Sequence, residues 1–310
     1  MICTVTLSPS WDTVAVVERL RMGEVNRSCR VFSYPGGKGI DVSRTVRQLG
    51  GETLAMGFVA GPNGERIKAA LRAEGIPHDF VEVGGDTRSN ILLEHAIRSQ
   101  ETIIQHPSDV AVTANDFEAL TAKIRLCSRT ARVLVFGGSI PAVLPPSIYR
   151  DLIAVARESG CRTILDASGE ALREGVLAHP YMIKPNRSEM EQLCGYRLRS
   201  PDEVIAAFRS TMLAEVEVVV VSLGAEGVVV RSKSDLFRVN PIAAGVVSYA
   251  GAGDSLIGGL ALGLSTGRGL REAMVMGVAA ATATLSQYGS SFFDLKDYET
   301  NRTKATIREV

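Results

Sequence analysis

From Ile40 onward, short apolar runs alternate with longer stretches in which apolar residues recur every three or four positions. VLVFG (133–137), TILDA (163–167), YMIKP (181–185) and VEVVVVSLG (216–224) have the length and β-rich character of strands. GIDVSRTVRQL (39–49), NGERIKAALRAE (63–74), NDFEALTAKI (115–124) and PSIYRDLIAVARES (146–159) carry the helical period instead. The run VVVVS shows no polar alternation, as expected of a strand covered on both faces. This pattern predicts an α/β fold, a mainly parallel sheet sandwiched by helices.

Two regions break the alternation. TVAVVERLRMGEVNRSCRVFSY (13–34) and RSNILLEHAIRSQETIIQH (88–106) each read as strand, turn and strand with no helix between. Paired together they would make a small β-sheet lid over the main sheet. No repeat, low-complexity tract or long polar linker divides the chain, so residues 1–310 are expected to form a single domain.

Composition narrows the function classes. A chain of 310 residues, 45% apolar and 22% charged, can bury one large core as a soluble protein. Lys plus Arg and Asp plus Glu both number 34, which gives no reason to expect a nucleic acid or a membrane as partner. The five cysteines are scattered without a CxxC pair and the four histidines lie far apart, which disfavours a zinc site. Read as unpaired, these cysteines suit a reducing compartment. The opening ICTVTL lacks the basic flank of a signal peptide, and MVMGVAAATATL (274–285) is too short for a membrane span of about 20 residues. A cytoplasmic location is the expectation.

In open α/β sheets, ligands sit where strand ends run through loops into helix starts. Four polar loops fall at such places: YPGGKGID (34–41), FGGSIP (136–141), IKPNRSE (183–189) and SYAGAGDS (248–255). A P-loop is excluded, because Lys38 is followed by Gly39 rather than Ser or Thr. A dinucleotide fingerprint is disfavoured too, since it would need glycine where Leu256 stands and belongs near the first strand. In GAGDS the small residues leave the N–H groups of Ala252, Gly253 and Asp254 open at a helix start, which attracts anions. Asp254 beside that anion could take a proton from a hydroxyl, a combination suited to phosphoryl transfer, or it could merely cap the helix. In KPNRSEME, Asn186 and Glu189 face the same way on a helix start. Amide and carboxylate there suit Mg²⁺ held largely through water, or an ordinary cap.

Taken together, GGKGIDVSR, GGSIP, LDASGEAL, KPNRSEME, VVSLGAEGVVV and GAGDS resemble the ribokinase-like (PfkB) carbohydrate kinases. TVTLSPSWD and the GEVNR turn are similar to the family's phosphosugar branch, and the likeness runs from about residue 2 to 290. The resemblance implies ATP as phosphoryl donor, Mg²⁺ as cofactor and Asp254 as catalytic base, with Gly251, Ala252 and Gly253 as the anion hole. Asn186 and Glu189 match the metal-organising Asn-x-x-Glu element, and Lys184 a nucleotide-phosphate contact. Ser222, Gly224 and Gly227 match the ATP-side loop. Asp12, Gly36, Gly37, Lys38, Asp41, Asn90 and Ser139 fall on the acceptor side, and Arg27 and Arg88 where the branch grips an existing phosphate. A monovalent cation such as K⁺ and a homodimer formed through the lid also belong to the resemblance.

The implied reaction converts fructose 1-phosphate to fructose 1,6-bisphosphate, with fructose 6-phosphate or tagatose 6-phosphate as alternative acceptors. A kinase of unphosphorylated sugars would leave the two arginines without a task. Three spellings depart from the branch: Asp41 replaces its usual Asn, Ser8 its Asn or Ala, and Tyr249–Ala250 its Thr followed by Val or Thr. A carboxylate at 41 can accept from a hydroxyl but repels phosphate. That single feature favours the rival reading, a catalytically weak sugar-phosphate-binding protein.

Overall fold

The computed structural model describes residues 1–95 and 101–310. Seven strands of the main sheet run parallel, in the spatial order β5 (Val81–Glu82), β4 (Thr53–Val59), β1 (Ile2–Thr6), β10 (Val133–Gly137), β11 (Arg162–Asp166), β12 (Met182–Ile183) and β13 (Val218–Ser222). Antiparallel strands β14 (Val228–Ser232), β15 (Leu236–Val239) and β16 (Ile307–Glu309) extend one edge. Every residue of β1 and β10 is buried, in keeping with the apolar spelling of β10 and the lack of any charged residue in β1.

Each face of this sheet carries its own core. Val5, Phe58, Leu134, Phe136, Leu165 and Val219 pack under α3 (Ala114–Ser128), α4 (Ile148–Glu158), α5 (Gly169–Val176), α6 (Arg187–Cys194) and α7 (Pro201–Ala207). Ile2, Val133, Val135, Ile164 and Val220 face α1 (Lys38–Gln48), α8 (Ala252–Ser265) and α9 (Leu270–Thr284). On that side α2 (Gly61–Ala73) adds Ile67 and Leu71, and α10 (Leu295–Lys304) sets Tyr298 on α9. Each buried Val, Leu, Ile or Phe contributes about 1.5–3 kcal/mol over leaving it exposed. A surface ion pair contributes about 0–1 kcal/mol. The two apolar layers therefore hold the fold.

The strand–turn–strand regions form a separate four-stranded sheet, in the order β3 (Arg30–Gly36), β2 (Ser10–Val17), β7 (Ser89–His95) and β8 (Glu101–Gln105). Residues 96–100 of the predicted second hairpin lie outside the described residues. Register sets the function of each face. Asp12 lies opposite Tyr34 and Asn90, whereas Ala15 lies opposite Val31 and Leu93 on the other side. The inner face carries Val14, Val16, Tyr34 and Leu92, packed on Ala250, Tyr288 and Phe292. The short antiparallel pair β6 (Gly84–Asp86) and β9 (Asp109–Ala111) joins the segments that flank the second hairpin.

One expectation is corrected. Cys3 on β1 and Cys127 on α3 form a disulfide across 124 residues, so only Cys29, Cys161 and Cys194 are free. A spacing that long has no local sequence signature, and reading all five as unpaired missed it. Among the described residues no helix is long and apolar enough to cross a membrane.

Candidate active site

The parallel strands end in a group of charges. Asp166 closes β11, Lys184 follows β12, Lys38 opens α1, and Asp254 stands in the first turn of α8. Lys38 Nζ lies 2.9 Å from Asp166 Oδ2 and 3.9 Å from Asp254 Oδ1, while Lys184 Nζ lies 3.3 Å from Asp166 Oδ1. Burial works against charge on Asp166, but Lys184 and Lys38 outweigh it and hold the carboxyl below the usual range. Burial also opposes the charge of Lys38, and Asp166 followed by Asp254 overcomes it, so the lysine stays protonated. Asp254 has no such surplus of positive neighbours. Burial pushes it up to about 6, with Lys38 only partly opposing. Nothing local in LDASGEAL marks Asp166 as a site residue, because its partners are 128 and 18 residues away.

Beside Asp254 the chain makes a turn built for an anion. Gly251 caps α8 in the left-handed conformation, φ 73°. A Cβ there would come within 2.3 Å of Ser291 N, so glycine is required for space as well as for φ. The first α-helical hydrogen bond runs from Ser255 N–H to Gly251 O at 2.8 Å. The amides of Gly253 and Asp254 precede it and have no carbonyl in the helix to donate to. Lys184 Nζ lies 3.6 Å from the point where a Cβ on Gly253 would stand, adding a full positive charge to the helix dipole.

Lid and α1 supply the opposite wall. Asn90 Nδ2 donates to Asp12 Oδ1 at 2.8 Å and to Ser10 Oγ at 2.9 Å, while Asn90 Oδ1 is buried without a hydrogen-bond partner. Gly36 faces Asp12 directly, since a Cβ would fall 2.0 Å from Asp12 Oδ2. Gly37 follows at the cap of α1, packed on Thr6 and Pro9. Arg88 Nη2 donates to Ser8 O at 3.1 Å and to the exposed Ser139 Oγ at 3.0 Å, and its buried Nε has no partner. Burial lowers the Arg88 pKa against the pull of Asp12. This is a guanidinium held in place with donor capacity left over.

Two predicted acceptor-side residues are placed differently. Arg27 lies in the exposed connection between β2 and β3 and makes no ion pair among the described residues. Asp41 is 4% exposed, and both its oxygens have partners inside the protein, Arg44 Nη1 at 2.5 Å and Ser290 Oγ at 2.8 Å.

On the nucleotide side, Asn186 and Glu189 form a reciprocal capping box at the start of α6. Asn186 Oδ1 accepts from Glu189 N–H at 2.9 Å, and Glu189 Oε2 accepts from Asn186 N–H at 2.8 Å. Glu189 Oε1 is left out of the box, and its carboxylate is near enough to act electrostatically on Lys38 and Asp254. Ser222 sits beside Asn186, its N–H donating to Pro185 O at 3.1 Å, and leads into the exposed turn at Gly224 that Gly227 closes. No group of three or more His, Cys, Asp or Glu among the described residues could cage a metal ion. One free carboxylate edge fits Mg²⁺ arriving with a nucleotide, which keeps its waters and phosphate oxygens as ligands.

The pH dependence of the rate follows from Asp254. Only its ionised form can accept a proton, so turnover should fall about tenfold per unit below a limb near pH 6, the raised value, and level off above it. A limb near the ordinary aspartate value, about 4, would remove Asp254 from that task.

A parallel sheet whose strand ends meet a glycine-led helix cap, roofed by a β lid, defines the ribokinase-like class of phosphotransferases. Within that class the chain belongs to the pfkB family of carbohydrate kinases, whose signature matches residues 5–297. It is 34% identical to the 1-phosphofructokinase of Bacillus subtilis (strain 168), over 92% of both chains. The tagatose-6-phosphate kinase of Staphylococcus epidermidis is 32% identical over 85% of each. Phosphofructokinase-2 of Escherichia coli, solved in complex with potassium, superposes with a TM-score of 0.90 at 29% identity, covering 98% of both chains.

Proposed function

We propose that this carbohydrate kinase transfers the γ-phosphoryl group of ATP to a sugar that already carries a phosphate, with fructose 1-phosphate as the preferred acceptor. The observation that carries the reading is Arg88, two-point anchored on Ser8 and Ser139 with its Nε buried and unpaired. A neutral sugar offers nothing that warrants holding a desolvated guanidinium there, whereas a phosphate accepts its remaining donors as charge-assisted hydrogen bonds. The named relatives act in the same direction, both being kinases of phosphosugars by name.

In this reading Asp12 and Asn90 Oδ1 accept from sugar hydroxyls, with Gly36 and Gly37 letting the chain pack closely on Asp12, Thr6 and Pro9 beside them. Asp254 takes the proton of the attacking hydroxyl, and the amides of Ala252, Gly253 and Asp254 receive the transferring phosphoryl group. Lys184 and Lys38 balance the developing negative charge, both held by Asp166. Mg²⁺, when bound with ATP, neutralises charge on the phosphates. Glu189 Oε1, with Asn186, would organise its waters. Ser222, Gly224 and Gly227 line the nucleotide side. A monovalent cation such as K⁺ would sit around SYAGAGDS (248–255), and the Escherichia coli protein was solved with potassium.

Residues 1–310 act as a single domain, with lid segments at about 13–34 and 88–106. The outer lid face lines up Ala15, Val31, Ile91, Leu93 and Ile104, with Val31 58% and Ile104 46% exposed. That apolar stripe supports a lid-to-lid homodimer.

Glu189→Gln is expected to raise the Mg²⁺ concentration needed for half-maximal rate, since a metal-organising charge is lost while the cap can still form. An unchanged requirement would leave the pair as a cap alone. The substrate assignment is tested by initial rates with fructose 1-phosphate, fructose 6-phosphate, tagatose 6-phosphate and fructose at saturating ATP. Fructose 1-phosphate should give the highest kcat/KM. If fructose equals the phosphosugars, the substrate class is wrong.

A further inference from the structure

We propose that Asp41 is a positioning residue which, through Ser290, fixes the phosphoryl-binding turn at Gly251. The inference rests on the kinase reading above and assigns Asp41 a task away from the sugar. Asp41 Oδ1 is taken by Arg44 Nη1 at 2.5 Å, and Oδ2 by the hydroxyl of Ser290 at 2.8 Å. Arg44 Nη1 reaches the same segment, donating to Ser290 O at 3.3 Å, while Nη2 donates to Pro35 O and Nε to Glu74. One carboxylate and one guanidinium thus grip Ser290 by hydroxyl and carbonyl together.

Ser290 and Ser291 are in turn what Gly251 packs against. A Cβ on Gly251 would lie 2.4 Å from Ser290 Oγ and 2.3 Å from Ser291 N. Ser291 is fully buried, and its backbone is left-handed at φ 59°, a conformation a non-glycine residue keeps only when its surroundings impose it. Its hydroxyl donates to Gly251 O at 3.1 Å and accepts from Ser255 Oγ at 3.1 Å. The chain of contacts runs from Asp41 to Ser290, across to Gly251, and into the amides that open α8. It joins the first motif of the sequence to the last without passing through either substrate.

Such a residue should act on the transition state rather than on sugar affinity. Ser290→Ala removes the hydroxyl that Asp41 accepts from and adds no bulk. It should lower kcat by about tenfold or more for every acceptor, while the KM of the phosphosugar stays within about twofold. Asp41→Leu should give the same split more strongly. Asp41→Asn, whose amide oxygen can accept from Arg44 Nη1 while its NH2 donates to Ser290 Oγ, should restore most of the Asp41→Leu loss. A rise in sugar KM with kcat unchanged in Ser290→Ala would overturn the proposal in favour of a sugar contact. Unchanged kinetics in Ser290→Ala would overturn it as well. If Asp41→Leu does not fold, Ser290→Ala against wild type decides alone, with thermal melting run alongside. Wild-type enzyme inactive toward all phosphosugars would defeat the kinase reading instead, an outcome separate from any difference between variants.

Discussion

Asp254→Asn should cut turnover by about 10² to 10⁴, the usual worth of a positioned base, while leaving the fold and nucleotide affinity close to wild type. The amide keeps the shape of the carboxylate but cannot receive the proton of the attacking hydroxyl. Little else should shift, because Lys38 keeps its shorter contact with Asp166 at 2.9 Å when the 3.9 Å contact with Asp254 loses its charge. Stopped assays over long incubations, with nucleotide affinity measured by calorimetry, would separate lost chemistry from lost binding. Near-normal turnover would reduce Asp254 to a helix cap.

The second large effect is expected at Arg88. Replacement by Ala removes a guanidinium that is anchored before the substrate arrives, so little binding energy is spent on ordering it. A charge-assisted hydrogen bond contributes roughly 1.5–3 kcal/mol. Since about 1.4 kcal/mol is a factor of ten, KM for the phosphosugar should rise about tenfold or more. Fructose, lacking the phosphate, should be nearly indifferent. Equal losses for fructose and fructose 1-phosphate would mean that Arg88 supports the lid rather than clamping a phosphate.

Much of this architecture was legible in the chain because its signals are local. VLVFG, TILDA and VVVVS are short apolar runs whose burial on both faces leaves no other spelling available. The GAGDS turn was legible because its small residues stand directly before an apolar helical stretch, and Gly251 does carry the left-handed cap. What escaped was non-local. Asp166 ends a strand like many polar residues, and only folding brings Lys38 and Lys184 to it. Arg44 lies in a helical pattern that reads as solvated on one side, yet it is 2% exposed between Asp41, Glu74 and Ser290. The segment around Ser290 and Ser291 has no periodicity at all, so nothing in its spelling announces that it supports Gly251. Asp41 looked like an odd substitution at the sugar for the same reason: its partner is 249 residues away.

If phosphoryl groups move from ATP to a phosphosugar at the start of α8, the bisphosphate product can be identified directly. Wild-type protein incubated with ATP, Mg²⁺ and fructose 1-phosphate can be followed by phosphorus NMR. Fructose 1,6-bisphosphate should appear in step with ADP, and Asp254→Asn should form neither at a comparable rate. ATP consumed without a bisphosphate, or a phosphate added to fructose but not to fructose 1-phosphate, would contradict that transfer.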